Sequence, residues 1–185
     1  RFEAPQLLIG HSFGGAAVLQ AAAAIPSCRA VVTIAAPADP RHVSETLGPA
    51  AEAIASRGEA EVSIAGRSFT LRRKFLDDLE GIDPESVIRN LNRPLLVMHS
   101  PLDEVVGIEN AARIFQAARH PKSFVSLDQA DHLLSNLADS RYAGAVIAVW
   151  ARRYLALPPS AGAERPPTDN RALTSEVEIR TRLKS

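Results

Sequence analysis

The stretch LLIGHSFGG, residues 7–15, decides the fold of this chain because it joins a short apolar run to a glycine-rich turn. The apolar run predicts a buried strand, and residues 15–24 predict a helix. Between them, Gly10, Ser12 and Gly14 fit the nucleophile-elbow pattern Gly-x-Ser-x-Gly, in which a serine stands on a sharp turn with its hydroxyl exposed. We expect both glycines to be required, since a Cβ at either position would crowd the backbone.

The composition is that of an ordinary globular chain. Of 185 residues, 46% are hydrophobic and 23% are charged, and 21 Lys and Arg balance 21 Asp and Glu. This balance provides no overall field that would attract nucleic acid or a membrane surface. Cys28 is the single cysteine, which excludes an internal disulfide and fits a reducing compartment. No apolar run approaches the roughly 20 residues of a membrane helix. We therefore expect a cytoplasmic protein without nucleic-acid or membrane partners. The sequence does not indicate which oligomeric state the protein adopts.

Three further apolar runs, residues 29–35, 94–99 and 123–127, predict buried strands. They alternate with helical patterns at residues 108–119 and 140–155, and this alternation predicts a parallel α/β sheet flanked by helices. The residues expected on the apolar sides of these two helices are Ile108, Ala111, Ala112 and Phe115 in the first, and Val146, Val149 and Trp150 in the second.

The pattern changes over residues 42–90, which we interpret as a cap-like insertion over one end of the sheet. Residues 42–57 predict a helix, and residues 61–64 and 68–71 predict a hairpin with a glycine in its turn. Two short helices follow, at residues 75–79 and 84–91, with Asp83 as the N-cap of the second. Phe69, Phe75 and Leu79 are candidates either for lining a substrate pocket or for simple packing of the insertion on the sheet.

The two ends of the chain lead to different expectations. The elbow is reached within about ten residues, whereas a doubly wound sheet usually has several strands before a central strand. We therefore expect residues 1–157 to form one domain that is incomplete at its N-terminus. Residues 158–185 predict a proline-rich linker followed by a strand-like or disordered tail.

The chain carries the residue types that a serine nucleophile requires. A serine hydroxyl needs a base to take its proton, and the base needs an acid to hold its tautomer. Asp103 follows the strand at 94–99 and His132 follows the strand at 123–127, so both are expected at the carboxyl edge of the sheet near Ser12. The order serine, aspartate, histidine predicts that these three side chains form a catalytic triad.

Each of these residues also has a simpler interpretation. Ser12 has the residue type of an ordinary helix N-cap. Asp103 could only cap the turn that follows it, and Glu104 is an adjacent competing acid. His132 could be a histidine in a surface loop.

The backbone amide of Phe13, the residue after Ser12, is the expected first donor of an oxyanion hole. A second donor usually comes from a loop after an earlier strand, and the sequence before the elbow contains no such loop. Of the other histidines, His11 and His99 are expected to pack against or orient their neighbours, and His42 and His120 are expected to be exposed. No spacing of ligand residues indicates a metal, and the absence of a Lys-Ser/Thr pair after the glycines argues against a phosphate loop; we expect no cofactor.

The elbow, the acid loop and the histidine loop together resemble the α/β-hydrolase superfamily over about residues 2–157. Several stretches are similar to the hydrolase part of bacterial proteins that fuse an α/β hydrolase to an OsmC-like domain. They are residues 34–40, 62–67, 73–78, 98–103, and 120–127 together with 130–132. The resemblance implies the C-terminal part of an α/β-hydrolase fold, a bacterial cytoplasmic location, and a triad of Ser12, Asp103 and His132.

The resemblance further implies a serine hydrolase that cleaves a small ester, thioester or related acyl substrate through an acyl-enzyme. The tail after Pro158 does not match the OsmC-like domain, and one cysteine cannot supply the cysteine pair of its peroxidase chemistry. The alternative is a non-catalytic scaffold or partner-binding domain, possible as an accessory to an OsmC-like domain. A haloperoxidase-like or peptidase-like activity on the same triad is a third possibility.

Overall fold

The computed structural model of the chain describes residues 4–41, 47–64 and 67–155, and these residues form an α/β fold. The predicted linker and tail lie outside this range. In chain order the elements are β1 (Leu7–His11), α1 (Phe13–Ala21), a short 3-10 turn (Ala22–Ala24), β2 (Ala30–Ile34), α2 (Pro49–Arg57), β3 (Glu59–Ile64), β4 (Arg67–Arg72), α3 (Arg73–Glu80), α4 (Pro84–Arg89), β5 (Leu95–His99), α5 (Glu109–Ala117), β6 (Lys122–Ser126) and α6 (Leu137–Ala151).

A parallel sheet with the strand order β1-β2-β5-β6 forms the centre of the fold, as the sequence predicts. All five residues of β5 are buried, as are four of the five in β2, which is typical of parallel strands covered on both faces. The prediction of a buried β1 is wrong in part, because Ile9 is 49% exposed. Within the described sheet β1 is an edge strand, so its outer side has no neighbouring strand to cover it.

Successive residues of the central strands contribute to two cores, one on each face of the sheet. Val31 and Val97 pack with α1, α4 and α5, whereas Val32 and Met98 pack with α6. Two details of the predicted helix faces are wrong. Ala112 is exposed while Ile114 is buried, and Val149 is 71% exposed while Ile147 is buried. The faces that contact the sheet are therefore the following: Ala111 and Ile114 of α5, with Ile108 and Phe115 packed beside them, and Ala143, Val146, Ile147 and Trp150 of α6.

The predicted hairpin is confirmed as the antiparallel pair β3 and β4, in which Glu61 lies opposite Thr70. Its turn, residues 65–66, lies outside the described residues, as do residues 42–46 of the predicted first helix. Helix α2 begins at Pro49, a residue suited to the first turn of a helix, after Gly48 with a φ of +49°. The predicted N-cap is also present, since the Asp83 carboxylate accepts a hydrogen bond from Ser86 N–H at 3.2 Å.

Among the described residues, no helix is both long and apolar enough to cross a membrane.

Candidate active site

Ser12 stands at the turn between β1 and α1 in a conformation that few L-residues adopt, with a φ of +54° and a ψ of −130°. Such a backbone costs on the order of 1–3 kcal/mol and persists only where the surroundings hold it. Two hydrogen bonds do so here: Ser12 N–H donates to the Ile34 carbonyl, and Gly15 N–H donates to the Ser12 carbonyl, both at 2.8 Å. The Ser12 side chain makes no N-cap hydrogen bond, so its hydroxyl is free for another partner.

The glycines of the turn do not all have the role predicted for them. A Cβ on Gly10 would overlap the Gly14 carbonyl and lie 2.7 Å from the Gly15 Cα, which confirms that Gly10 is required. A Cβ on Gly14 would meet no atom within 4 Å, so the expectation of crowding at Gly14 is wrong. The second crowded position is Gly15, whose Cβ would overlap that of Ala36 and lie 3.2 Å from the Gly10 carbonyl oxygen. Gly15 is buried against the loop after β2, whereas Gly14 has open space beside it.

The hydroxyl of Ser12 belongs to a hydrogen-bonded chain with His132 and Asp103. The distance from Ser12 Oγ to His132 Nε2 is 3.0 Å, and His132 Nδ1 lies 2.8 Å from Asp103 Oδ2 and 3.0 Å from Oδ1. A carboxylate only accepts, so Nδ1 carries the hydrogen, and in the neutral ring Nε2 presents its lone pair to the serine hydroxyl. The fold thus brings together three side chains that are 29 and 120 residues apart in the sequence.

Asp103 is held by its own loop as well as by His132. Its side chain is fully buried, and Oδ1 accepts hydrogen bonds from the backbone N–H groups of Val105 and Val106, both at 2.9 Å. Burial alone would favour the neutral acid, but the hydrogen bonds from Val106, His132 and Val105 outweigh it and lower the pKa of Asp103 below its ordinary value. The carboxylate is therefore ionised at neutral pH. It caps the turn and contacts His132 at once, whereas the side chain of the competing Glu104 is exposed.

The loop after β6 holds His132 by two further contacts. Ser135 N–H donates to the Asp131 carboxylate at 2.8 Å, and Leu134 N–H donates to the Asp131 carbonyl at 3.1 Å, which closes a tight turn around His132. From the other side, His11 Nε2 donates to the His132 carbonyl at 2.7 Å, and the centres of the two rings are 5.0 Å apart.

The remaining histidines differ in their surroundings. His99 is fully buried, and its Nε2 donates to the Val106 carbonyl at 2.8 Å, so it makes an orienting contact of the kind expected from the sequence. His120 is exposed, and His42 lies outside the described residues. The described residues contain no group of three or more His, Cys, Asp and Glu side chains that could hold a metal ion.

Phe13 is the first residue of α1, so its backbone N–H has no partner within the helix. This amide is adjacent to Ser12 and lies at the positive end of the helix dipole, where developing negative charge is stabilised. Its function as an oxyanion donor stays a prediction.

An apolar cavity of about 290 Å³ lies along α1; Phe13 lines it, whereas Ser12, Asp103 and His132 do not. The ring of Phe13 contacts that of Phe75 from α3, with their centres 5.7 Å apart. Of the three candidates for pocket lining or simple packing, Phe75 and Leu79 line this cavity, whereas Phe69 does not and is 44% exposed. A larger hollow of about 440 Å³ lies between α4 and α5 and is lined largely by charged side chains, and it too includes none of Ser12, Asp103 or His132.

The fold places Ser12 after β1, Asp103 after β5 and His132 after β6, and it is similar to the folds of known structures. The chain is 53% identical to the esterase domain of a Rhodothermus marinus protein, with a TM-score of 0.68 over 81% of this chain and 62% of that one. It also matches Est1E from Butyrivibrio proteoclasticus (18% identity, TM-score 0.58, 78% of this chain and 59% of that one). A third match is the mouse alpha/beta hydrolase domain-containing protein 10 (22% identity, TM-score 0.59, 82% and 64%).

The chain has the α/β-hydrolase fold. The two matches at 18% and 22% identity show the fold alone, and the chain spans about 62% of the length of the Rhodothermus marinus esterase domain. No family model and no curated protein matches the chain. The resemblance to OsmC-like fusion proteins and the bacterial source stay predictions.

Proposed function

We propose that this protein is a serine hydrolase that cleaves an ester, thioester or related small acyl substrate. The proposal depends above all on one observation, the continuous hydrogen-bonded chain from Ser12 Oγ through the His132 ring to the Asp103 carboxylate. It is supported by the strained backbone of Ser12 and by 53% identity to an esterase domain. The proposed location, the cytoplasm, stays a prediction.

In the first half of the proposed reaction, Ser12 Oγ attacks the carbonyl carbon of the substrate while His132 Nε2 takes the hydroxyl proton. Asp103 accepts a hydrogen bond from His132 Nδ1–H throughout and stabilises the imidazolium that forms. The negative charge that develops on the carbonyl oxygen is stabilised by the Phe13 amide, a type of donor whose removal costs about 3 kcal/mol. The bond to the leaving group then breaks, and His132 Nε2–H protonates that group.

The second half repeats these steps with water as the nucleophile. His132 Nε2 takes a proton from water, the resulting hydroxide attacks the acyl-Ser12 ester, and the acid leaves as Ser12 regains its proton. Besides the three side chains, this scheme uses the Phe13 amide and one water.

A fluorophosphonate probe tests the nucleophile directly, since it reacts with serines activated by a neighbouring base. We expect one equivalent of label per folded full-length protein, located on Ser12 by peptide mass spectrometry. Labelling should disappear in Ser12→Ala and continue in Ser140→Ala, a control at an exposed serine of α6. A correctly folded protein that takes up no label would contradict the proposal and favour the non-catalytic scaffold, whereas label at another serine would show that Ser12 is not the nucleophile.

The apolar cavity indicates which part of a substrate the protein accommodates. Cavities of about 150 Å³ bind benzene, so about 290 Å³ has room for an apolar group roughly twice that size. Because Phe13 both follows Ser12 and lines the cavity, we propose that an apolar chain of the ester extends from Ser12 along α1.

Ala17→Phe, which places a ring in this cavity, is expected to select against long chains. Each methylene kept in water loses about 0.8 kcal/mol of burial, so blocking two of them lowers kcat/KM more than tenfold. The ratio of kcat/KM for p-nitrophenyl octanoate to that for the acetate measures this effect on the acyl side, and a series of alkyl acetates measures it on the alcohol side. Ala145→Phe on the exposed face of α6 is the control. An unchanged ratio in both series would show that the chain binds elsewhere.

A further inference from the structure

His99 is a buried imidazole at the end of a strand whose other four residues are apolar. Its Nε2 lies 2.8 Å from the Val106 carbonyl oxygen, and because a carbonyl only accepts, this nitrogen carries the hydrogen. The opposite nitrogen, Nδ1, is buried and has no hydrogen-bond partner among the described residues. A buried polar atom without a partner costs free energy, so packing alone does not account for a histidine at this position.

The hydrogen bond from His99 closes the loop that surrounds Asp103. Val106 accepts from His99 through its carbonyl and donates through its N–H to Asp103 Oδ1 at 2.9 Å, so it is held from both sides. Asp103 N–H also donates to the Ser100 carbonyl at 3.3 Å. The orientation of the carboxylate is therefore tied to β5 through the His99 ring.

A second contact links His99 to the same carboxylate. Its Nε2 lies 3.5 Å from Asp103 Oδ2, the oxygen that is 2.8 Å from His132 Nδ1. Oδ2 thus lies between two imidazole N–H groups. The side chains of His99 and Asp103 are both fully buried, where such interactions are stronger than in water.

From these contacts we infer that His99 is a positioning residue, which holds the Asp103 carboxylate so that Oδ2 faces His132 Nδ1. The inference rests on the proposed function, in which Asp103 and His132 act together on Ser12. His99 itself touches neither Ser12 nor the substrate in this scheme; it acts through Val106 and Asp103.

Two substitutions separate positioning from packing. His99→Leu fills similar space without a donor, whereas His99→Gln keeps an amide N–H at about the reach of Nε2. We expect His99→Leu to lower kcat about 10- to 100-fold with little change in KM, as small misplacements of reacting groups do. The acid limb of its pH–rate profile should move to lower pH, because a poorly placed Asp103 stabilises the His132 imidazolium less. His99→Gln should regain most of kcat.

A measurement that is independent of turnover keeps this inference distinct from the proposed function. The low-field proton NMR signal of His132 Nδ1–H should shift or broaden in His99→Leu and return in His99→Gln, whether or not the protein hydrolyses esters. Wild-type kcat and an unchanged signal in a folded His99→Leu protein would overturn the inference. Equal loss of kcat in both variants, with both melting at lower temperature, would also overturn it, since it would show a packing role.

Discussion

Ser12→Ala is expected to lower kcat for an activated ester by about 10⁶-fold, the order of the loss known when the nucleophile of a serine protease is removed. The substitution removes only the hydroxyl group, whose oxygen lies 3.0 Å from His132 Nε2. Alanine keeps the Cβ and hence the same backbone strain at a φ of +54°, so the melting temperature should stay close to that of the wild type. Activity is measured as initial rates per folded protein, with the melting curve as the control for folding.

Combining Ser12→Ala with His132→Ala tests whether the two side chains act together. If Ser12 and His132 act as one unit, His132→Ala should cost nearly as much as Ser12→Ala, and the double variant should lose little more than either. Losses that add on a logarithmic scale would contradict the proposed unit. A folded Ser12→Ala protein that keeps more than a few per cent of wild-type turnover would show that another group is the nucleophile.

The sequence predicts the order and type of the elements around the site because each depends on local signals. Short apolar runs of three to seven residues predict the parallel strands, and the hairpin follows from alternation on both sides of a glycine. Strand ends in a parallel sheet meet at one edge, so the approach of Asp103 and His132 to Ser12 also follows from their positions in the sequence.

The predictions that are wrong concern the direction in which a residue faces, and not the type of element that contains it. Two residues along a helix correspond to a rotation of about 200°, so Ala112 and Ile114, or Val149 and Ile147, lie on nearly opposite faces and only one of each pair packs on the sheet. At the elbow, the pattern Gly-x-Ser-x-Gly predicts a close contact at Gly14, but the residue that lies close to Ala36 is Gly15. The backbone amides of Val105 and Val106 that hold Asp103 have no sequence signal, because every residue except proline carries such a group.

The exposure of Ile9 and the position of Phe69 could not be predicted from the sequence, because both depend on neighbours that are distant along the chain. Ile9 has the same residue type as the buried strand residues, but β1 lies at an edge of the described sheet, so the residue is half-exposed. Phe69 and Phe75 are both aromatic residues of the predicted insertion, yet only Phe75 reaches the ring of Phe13. Which member of such a pair faces the cavity is set by how α3 packs on α1.

Asp103→Asn is expected to lower kcat at neutral pH by about 10⁴-fold, the loss known for this change in a serine protease. An asparagine NH₂ can donate to His132 Nδ1, which favours the tautomer with the hydrogen on Nε2. That tautomer has no lone pair for the Ser12 hydroxyl, although the geometry is almost unchanged. Glu104→Gln removes an exposed carboxylate from the next position of the same loop and is the matched control, with kcat expected within about twofold of wild type, as for an exposed charge of little energetic weight.

Asp103→Asn is also expected to change the stability of the protein in acid. The pKa of Asp103 is lowered in the folded protein, so its charged form stabilises the fold above about pH 4, the ordinary value of an unfolded aspartate. This contribution is lost as the pH falls through the lower pKa of the folded state. Urea unfolding of Asp103→Asn between pH 2 and pH 7 should therefore show a weaker loss of stability in acid than the wild type, while Glu104→Gln follows the wild-type curve. If Asp103→Asn and Glu104→Gln gave the same activity and the same acid profile, the buried carboxylate would have no special role, and the acid assigned to His132 would have to be sought elsewhere.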